Sequence, residues 1–563
     1  MKILHNHIGY ALGGAKRALV QSSATLASHA FTLYRCGSRE AVFSGTLRPR
    51  GAVAQWRDWQ YWEADFSALQ TTGEFFLALD GAQPPLVSQP FGVSANPFDS
   101  QLLSDLLHYL KSQRCSGVFD EADRACPVFG SDARVDVHGG WYDASGDCSK
   151  YLSHLSYANV MNPQQTPQLV WNLIEGRSRL VQPSLWFDER IVDEALHGAD
   201  FLRRMQHPDG AFYMTVFDRW SKDVAQRRIC SYTTQQGHLF ATWQAGWRQG
   251  GGSAIAALAR ASRLPRDGEF SRAAYLDAAQ RGFAHLERHG SDYLADGAEN
   301  IIDDYCALLA ATELAAACGE AAYARAAELR AERLIARQHP QGWFWADDAK
   351  TRSYFHAVEA GLPYVALMRF LDVLPEAAPC DAVRDALQRG LACEIEMTAR
   401  GANNPFGYPR QQVVRPGHPG GVRFFIPHDN ESGYWWQGEN ARLASLACAA
   451  RAATRYLAHD EALCAALRRY AQGALDWIFG FNPFDACMMQ GQGHRSPRYE
   501  RGYWNAPGGV CNGITGGLDN EDDIDFRMPG ETDPTQSWRW SEQWLPHAAW
   551  LFAALAHGPV ENS

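Results

Sequence analysis

Two carboxylates four positions apart, Asp143 and Asp147, lie in the segment DVHGGWYDASGDCSKYLSHLSYAN, residues 136–159, with Ala, Ser and Gly between them and Trp141 and Tyr142 just ahead. Small residues at that spacing permit tight backbone curvature, so both side chains can converge on one water and act on it as a base. The same spacing also suits an Asx-rich turn that caps a helix. A third acid, Glu542, lies in DPTQSWRWSEQWLPHAAWLFAALA, residues 533–556, among Trp538, Trp540 and Trp544 and at the start of the last apolar run. Aromatic surface strips water from a carboxyl, disfavours its charged form and raises its pKa toward that of a general acid. A first-turn Glu favoured by the helix dipole is the competing reading.

Further chemistry is offered by residues 403–447, NNPFGYPRQQ…FFIPHDNESGYWWQGENARLASLA, which carry His428, Asp429, Glu431, Tyr434, Trp435, Trp436 and Glu439. Sugars present CH-rich faces that stack on aromatics and hydroxyls that bond to polar groups, so this string reads as a saccharide groove. Tryptophans packed beneath a loop would look the same. His494 and Arg495, in DWIFGFNPFDACMMQGQGHRSPRYERGYWN, are a second polar pair, equally compatible with a surface turn. In SYFHAVEAGLPYVAL, residues 353–367, His356 and Glu359 stand about one helical turn apart, which predicts a shared face turned to the cleft. Asp303 and Asp304 in AENIIDDYC mark another helix start, where caps and solvated faces are the ordinary outcome.

Residues so distant along the chain need a scaffold that gathers them. The first 95 residues read as seven short strand-like runs (ILHNHIGY, RALVQS, HAFTLYRC, AVFSGTL, WQYWEADF, EFFLALD and PFGVS), which fits a small sandwich of the immunoglobulin type. Asn96-Pro97 forces an extended step near residues 94–101, where the period changes. Residues 96–563 are helical in pattern: about twelve segments start near residues 102, 166, 191, 240, 270, 301, 321, 354, 380, 438, 461 and 541, many of them Ala-rich. Ile301, Ile302, Tyr305, Leu308 and Leu309 define one face of the sixth. Twelve helices predict two concentric rings of six, the (α/α)6 barrel, and a mainly α fold. The long loops 401–437 and 481–540 are the places to seek function.

Composition narrows the partners. A net charge of -11 and the lack of a long basic stretch exclude a polyanion footprint, so no nucleic acid is expected. No window approaches the roughly 20 apolar residues of a membrane span. The opening MKILHNHIGYALGGAKRALVQ lacks the apolar run of a secretory segment, and the 13 cysteines show no disulfide framework, so the expected location is the cytoplasm. A monomer or a homodimer is expected.

Residues 136–159 resemble the GGWYDAGD signature of glycoside hydrolase family 9, an inverting family, with DASGD here one residue longer than DAGD. The resemblance implies that Asp147 is the general base and Asp143 its companion in orienting water. It makes Glu542 the general acid, which the family places near the C-terminus in an NEVA-like context where this chain has SEQW. His494 and Arg495, by the match to a GxNP stretch and a His-Arg pair, are implied to contact the sugar at the cleavage point. The likeness runs from the NHIGY start, typical of the family's sandwich domain, to the terminal helix. An inverting mechanism needs its two carboxyls about 6.5–9.5 Å apart, with a water between base and anomeric carbon.

Some family members carry a structural zinc on two Cys and two His. Cys115, Cys126 and His138 stand in that region, but Pro127 occupies the place of a partnering His, so no metal and no cofactor are expected. The strings DASGDxSKYLSHLSYAN, FHAVEAGLPYVAL and PHDNESGYWWQGENARLASLA resemble a bacterial subgroup associated with exo-β-D-glucosaminidase activity on chitosan oligosaccharides. Asp429, Glu431, Glu439 and Glu359 are then candidates to pair with a protonated 2-amino group. The expected partner is thus a small soluble oligosaccharide. The alternatives are a cellodextrinase, an endoglucanase or a β-glucosidase, and, from another class, a sugar epimerase, a polysaccharide lyase or a non-catalytic saccharide-binding protein.

Overall fold

The computed structural model describes residues 1–558 except 83, 156, 157, 234, 235, 436, 499–501, 532 and 534, and of Tyr434 the backbone only. Ten strands open the chain: β1 (Lys2–Leu4), β2 (Tyr10–Ala11), β3 (Arg17–Ser22), β4 (Ala30–Arg35), β5 (Ala41–Thr46), β6 (Arg48–Ala52), β7 (Gln60–Asp65), β8 (Gly73–Leu79), β9 (Leu86–Val87) and β10 (Phe91–Ser94). They form two sheets, β1-β3-β7-β6 and β2-β10-β8-β4-β5, with β9 paired to β8. Alternation explains the sandwich: in β8, Phe75, Leu77 and Leu79 are buried against Val20, Phe31, Leu33 and Phe66 while Glu74 faces out. The run ILHNHIGY is two strands rather than one, and β6, an exposed edge of sequence RPRGA, has no apolar alternation to announce it.

The rest of the described chain is mainly helical, with short two- to four-stranded sheets in its loops, and its helices are α1 (Ser100–Ser112), α2 (Gly117–Asp123), α3 (Thr166–Arg179), α4 (Leu185–Arg204), α5 (Gly252–Ala261), α6 (Arg272–His289), α7 (Ile301–Cys318), α8 (Ala321–Ala336), α9 (Leu362–Val373), α10 (Cys380–Ala399), α11 (Asn440–Ala453), α12 (Glu461–Ile478), α13 (Trp538–Ser541) and α14 (Leu545–Ala556). Helices α3, α5, α7, α9, α11 and α14 pack each on the next, and α14 returns to α3, so the inner ring closes. Helices α1, α4, α6, α8, α10 and α12 lie outside it. This is the (α/α)6 barrel. Inner helices are buried on every side: each residue from Ile301 to Ala315 in α7 is buried, not one face only, and the few charged ones among them are paired. Gly361, ahead of α9, lets that helix approach α11, since a Cβ there would stand 2.1 Å from the Ser445 carbonyl oxygen.

Caps fix the helix starts. Asp99 accepts the N–H groups of Gln101 and Leu102 at α1, and Asn300 with Asp303 forms a capping box at α7. Asp303 also pairs with Arg248, and Asp304 with Arg330 and Arg337, so both acids are buried rather than solvated. Two helices start later than their pattern suggests: α5 at Gly252 rather than near 240, and α9 at Leu362 rather than near 354. The first turns of the inner helices and the segments leading into them bond to one another: Gln164 N–H to Glu359, the Gln164 amide to the Arg248 carbonyl, Arg248 N–H to Asp303, Ala441 N–H to His547, and Leu545 N–H to the Asp143 carbonyl. The loops entering the inner ring therefore gather at one end of the barrel.

The sandwich docks on the barrel through Arg17, which donates to the carbonyls of Pro405 and Phe406, through Asn6 to Asp476 at 2.7 Å, and through the fully buried Trp56 packed against Phe424 and Trp477. All 13 cysteines are free thiols. No helix of the described residues is long and apolar enough to cross a membrane.

Candidate active site

The loop ahead of α3 carries Asp143 and Asp147, and the extended link between α13 and α14 carries Glu542. These two segments run side by side. Ser145 N–H donates to the Gln543 carbonyl at 2.8 Å, and Gln543 N–H donates to Ser145 Oγ at 3.0 Å across 398 positions of sequence. Trp544 Nε1 donates to both carboxylate oxygens of Asp143, at 3.0 and 3.1 Å. Glu542 has φ -67 and ψ 134, so it is extended backbone after α13 and three residues short of α14, not the first turn of the last helix. The dipole account of this Glu falls away with that position.

Asp147 is held by two donors: Ser149 N–H on Oδ1 and the Tyr151 hydroxyl on Oδ2, each at 2.8 Å. Burial, followed by the charge of Asp218, pushes its pKa up to about 6. Glu542 lies against Gly146, and burial, then the Asp147 charge, push it up to about 8, opposed by Lys222. Burial and the neighbouring Asp147 hold Asp143 well above the ordinary carboxylate range. Burial thus raises both carboxyls, and Glu542 further than Asp147.

A cavity of about 370 Å³ is lined by Asp143, Asp147 and Glu542 together with His154, Leu155, Trp220, Trp435, Gln437, Tyr503, Trp538 and Trp544. His154 is half-buried and neutral, its pKa lowered to about 3 by desolvation, and its ring stands 4.6 Å from that of Tyr151. Trp435 is buried, its ring 5.7 Å from that of Trp544 and tilted to it. Trp220 is 38% exposed at the cavity's edge. Apolar walls with a few convergent carboxyls are the form of a ligand site. No motif in the sequence points to His154, Tyr503 or Gln437, and for Trp220 the one available signal is its neighbourhood DRWSK at 218–222, an acid and a Trp before a Lys.

Several expected contacts lie elsewhere. Trp141 is fully buried, with Nε1 on Glu194 at 2.8 Å, and Tyr142 bonds through its hydroxyl to Ser116. Trp540 is buried under the guanidinium groups of Arg527 and Arg539, while Trp538 and Trp544 face the cavity. His356 and Glu359 are not on a helix; His356 Nδ1 accepts the N–H groups of Val358 and Glu359 in a turn, and Glu359 accepts from Tyr305 at 2.6 Å. Glu439 is bound by Arg442 and Glu431 by Arg352, so their charges are already met. His428 bonds to Thr515, and Asp429 is exposed in a short hairpin. His494 stacks on His7 at the seam with the sandwich, both rings against Asp485, and Arg495 is exposed beside it. Trp436 and the side chain of Tyr434 lie outside the described residues.

The zinc region does not fit the ion. Cys115 Sγ faces Asp123, Cys126 Sγ the Pro127 carbonyl, and His138 bonds to Asp136, so the three donors are not gathered. Burial pushes the two thiols up to about 11 and about 12, away from the thiolate that zinc needs. Beside them the buried Lys150 and Arg227 both pair with Asp123.

A closed (α/α)6 ring with three carboxyls converging on one cavity is an arrangement suited to acid–base work on a bound sugar. The sequence comparisons agree and go further. The glycosyl hydrolase family 9 profile matches residues 100–507, and the cellulase N-terminal ig-like domain matches residues 1–84. The chain belongs to glycosyl hydrolase family 9. It is 26% identical over 316 residues to a xyloglucan-specific endo-beta-1,4-glucanase of Bacteroides ovatus and 27% identical over 175 residues to a cellodextrinase of Butyrivibrio fibrisolvens. These matches cover 51% and 28% of this chain and span 50% and 30% of those relatives' lengths. In fold it is similar to a metagenome-derived family 9 endoglucanase, with a TM-score of 0.69 and 19% identity over 99% of this chain and 98% of that one. A family 9 protein of Bacteroides ovatus follows at 0.67 and 18%, again over 99% and 98%.

Proposed function

We propose that this chain is an inverting hydrolase of β-1,4 linkages in short soluble oligosaccharides, with Asp147 as general base and Glu542 as general acid. The observation that carries the reading is that Asp147 and Glu542 line one cavity from two segments that run side by side, with burial raising the carboxyl of Glu542 (about 8) further than that of Asp147 (about 6). Asp147, fixed by Ser149 and Tyr151, takes a proton from water, which attacks the anomeric carbon; Glu542 gives its proton to the departing oxygen. Trp435, Trp544 and Trp220 offer ring faces to the pyranose.

Within that class we assign exo-cleavage of glucosamine oligomers. The acids first considered for amine recognition are met by Arg and Tyr partners or lie away from the cavity, which leaves Asp143 as the third carboxyl in it. A protonated 2-amino group set against Asp143 would favour the ionised carboxylate that burial now disfavours. The test compares chitobiose, the glucosamine disaccharide, with cellobiose: kcat/KM higher for chitobiose by about tenfold or more supports amine recognition, a preference of about 1.4 kcal/mol. Equal values refute it. The second reading, a cellodextrinase or β-glucosidase on the same two carboxyls, draws on the activities of the two relatives and predicts a preference for cellobiose.

A further inference from the structure

The base loop does not stand alone. Lys150 and Tyr151, just past Asp147, pair as a strand with Thr215 and Val216, and Asp218 follows two residues on. Within the next four residues Arg219, Trp220 and Lys222 take φ of 60, 58 and 56. Non-glycine residues hold that left-handed conformation in series only where their surroundings over-determine it, and such strain gathers at functional sites. Asp218 supplies the restraint. It is fully buried, and its carboxylate accepts Trp220 N–H on Oδ1 and Lys222 N–H on Oδ2, both at 3.0 Å. The same Oδ1 accepts Ser149 Oγ–H at 3.0 Å, and Ser149 N–H is one of the two donors that hold Asp147.

Accepting Asp147 as the base, we infer that Asp218 is a positioning residue for both sides of the cavity, fixing the base through Ser149 and the Trp220–Lys222 loop through its backbone. The consequence reaches further than shape. Trp220 lines the cavity beside Asp147, and Lys222 reaches over to the Gly502 carbonyl and the ring of Trp504, next to the cavity residue Tyr503. The Asp218 charge strengthens Asp147 as a base, and the Lys222 ammonium strengthens Glu542 as an acid. One strained loop thus adjusts both partners in the useful direction.

The groups facing Asp147 are Asp143, Glu542, Asp218, the Tyr151 and Tyr232 phenols and the neutral His154, so Asp218→Asn removes one anion and leaves the rest. In the full chain, with the preferred disaccharide, Asp218→Asn is expected to move the acid limb of kcat/KM down by roughly half a pH unit or more. It is also expected to raise KM several-fold through the loosened Trp220. Ser149→Ala keeps the charge and is expected to lower kcat about fivefold or more with the acid limb unmoved. An unmoved limb and unchanged KM in Asp218→Asn overturn the inference, even if its melting temperature falls. If Asp218→Asn does not fold, Ser149→Ala decides: a kcat equal to wild type overturns the inference, and the predicted loss upholds it. Asp147→Asn run in parallel separates the two levels, because an active Asp147→Asn refutes the base itself, whereas an inactive one beside a silent Asp218→Asn refutes only the role of Asp218.

Discussion

The carboxyl of Glu542 rests on Gly146, the residue before Asp147, so closely that a Cβ at that position would lie 2.3 Å from Glu542 Oε1 and 2.6 Å from the Tyr503 ring. The side chain missing from Gly146 is what lets the Glu542 carboxyl approach the Asp147 loop. Gly146→Ala should therefore expel the Glu542 carboxyl while the distant core stays intact. The expected outcome is a fall in kcat of about a hundredfold or more with little change in melting temperature, since general acid catalysis is worth 10²–10⁴ in rate. Wild-type kcat in that variant would show that the acid works from another place.

Asp147→Asn and Glu542→Gln should each lower kcat by about 10²–10⁴ on natural disaccharides, yet differ on activated ones. An aryl glycoside with a dinitrophenolate leaving group departs without a proton, so Glu542→Gln should keep most of its turnover on that substrate and Asp147→Asn should not. The ratio of the two substrates' kcat values for each variant is the measurement.

The pH profile of kcat/KM should be bell-shaped. With Asp147 as the proposed base and Glu542 as the proposed acid, turnover needs the first ionised and the second protonated, so the rate is expected to fall below about pH 6 and above about pH 8. Three carboxyls on one cavity titrate as a set, and the limbs report the set's apparent values. Glu542→Gln should abolish the alkaline limb of its residual activity and leave the acid one.

Stability should respond in the opposite sense from that of a salt-bridged acid. Glu542 binds its proton more tightly folded, at about 8, than its ordinary value of 4.5. Between those values the unfolded chain carries the more negative charge, so stability falls as pH rises through the window. Glu542→Gln is thus predicted to melt higher than wild type at pH 8 and about equally at pH 4, measured by calorimetry at both.

How far the sequence speaks can be seen in particular residues. Strands such as β8 and helices such as α7 were legible because apolar residues recur with period 2 or crowd an Ala-rich run. The start of α9 was not, because Gly361 obeys a contact with Ser445, far along the chain. Asp143 and Asp147 announce themselves through local spacing, and Glu542 through its tryptophans. By contrast Glu439, Glu431 and Trp141 look like sugar contacts in sequence and prove to be buried or paired, because the groups that engage them, Arg442, Arg352 and Glu194, are not marked as partners by any motif. Asp218 was overlooked because its bonds to the Trp220 and Lys222 N–H groups are those of an ordinary Asx turn, and only the fold brings in the third, from Ser149.

Inversion follows from a base that activates water on one face of the pyranose while the acid protonates the other. Proton NMR of the first sugar released from a β-linked disaccharide, recorded before mutarotation, tests this most directly. The account predicts the α anomer as the initial product; initial release of the β anomer would contradict it.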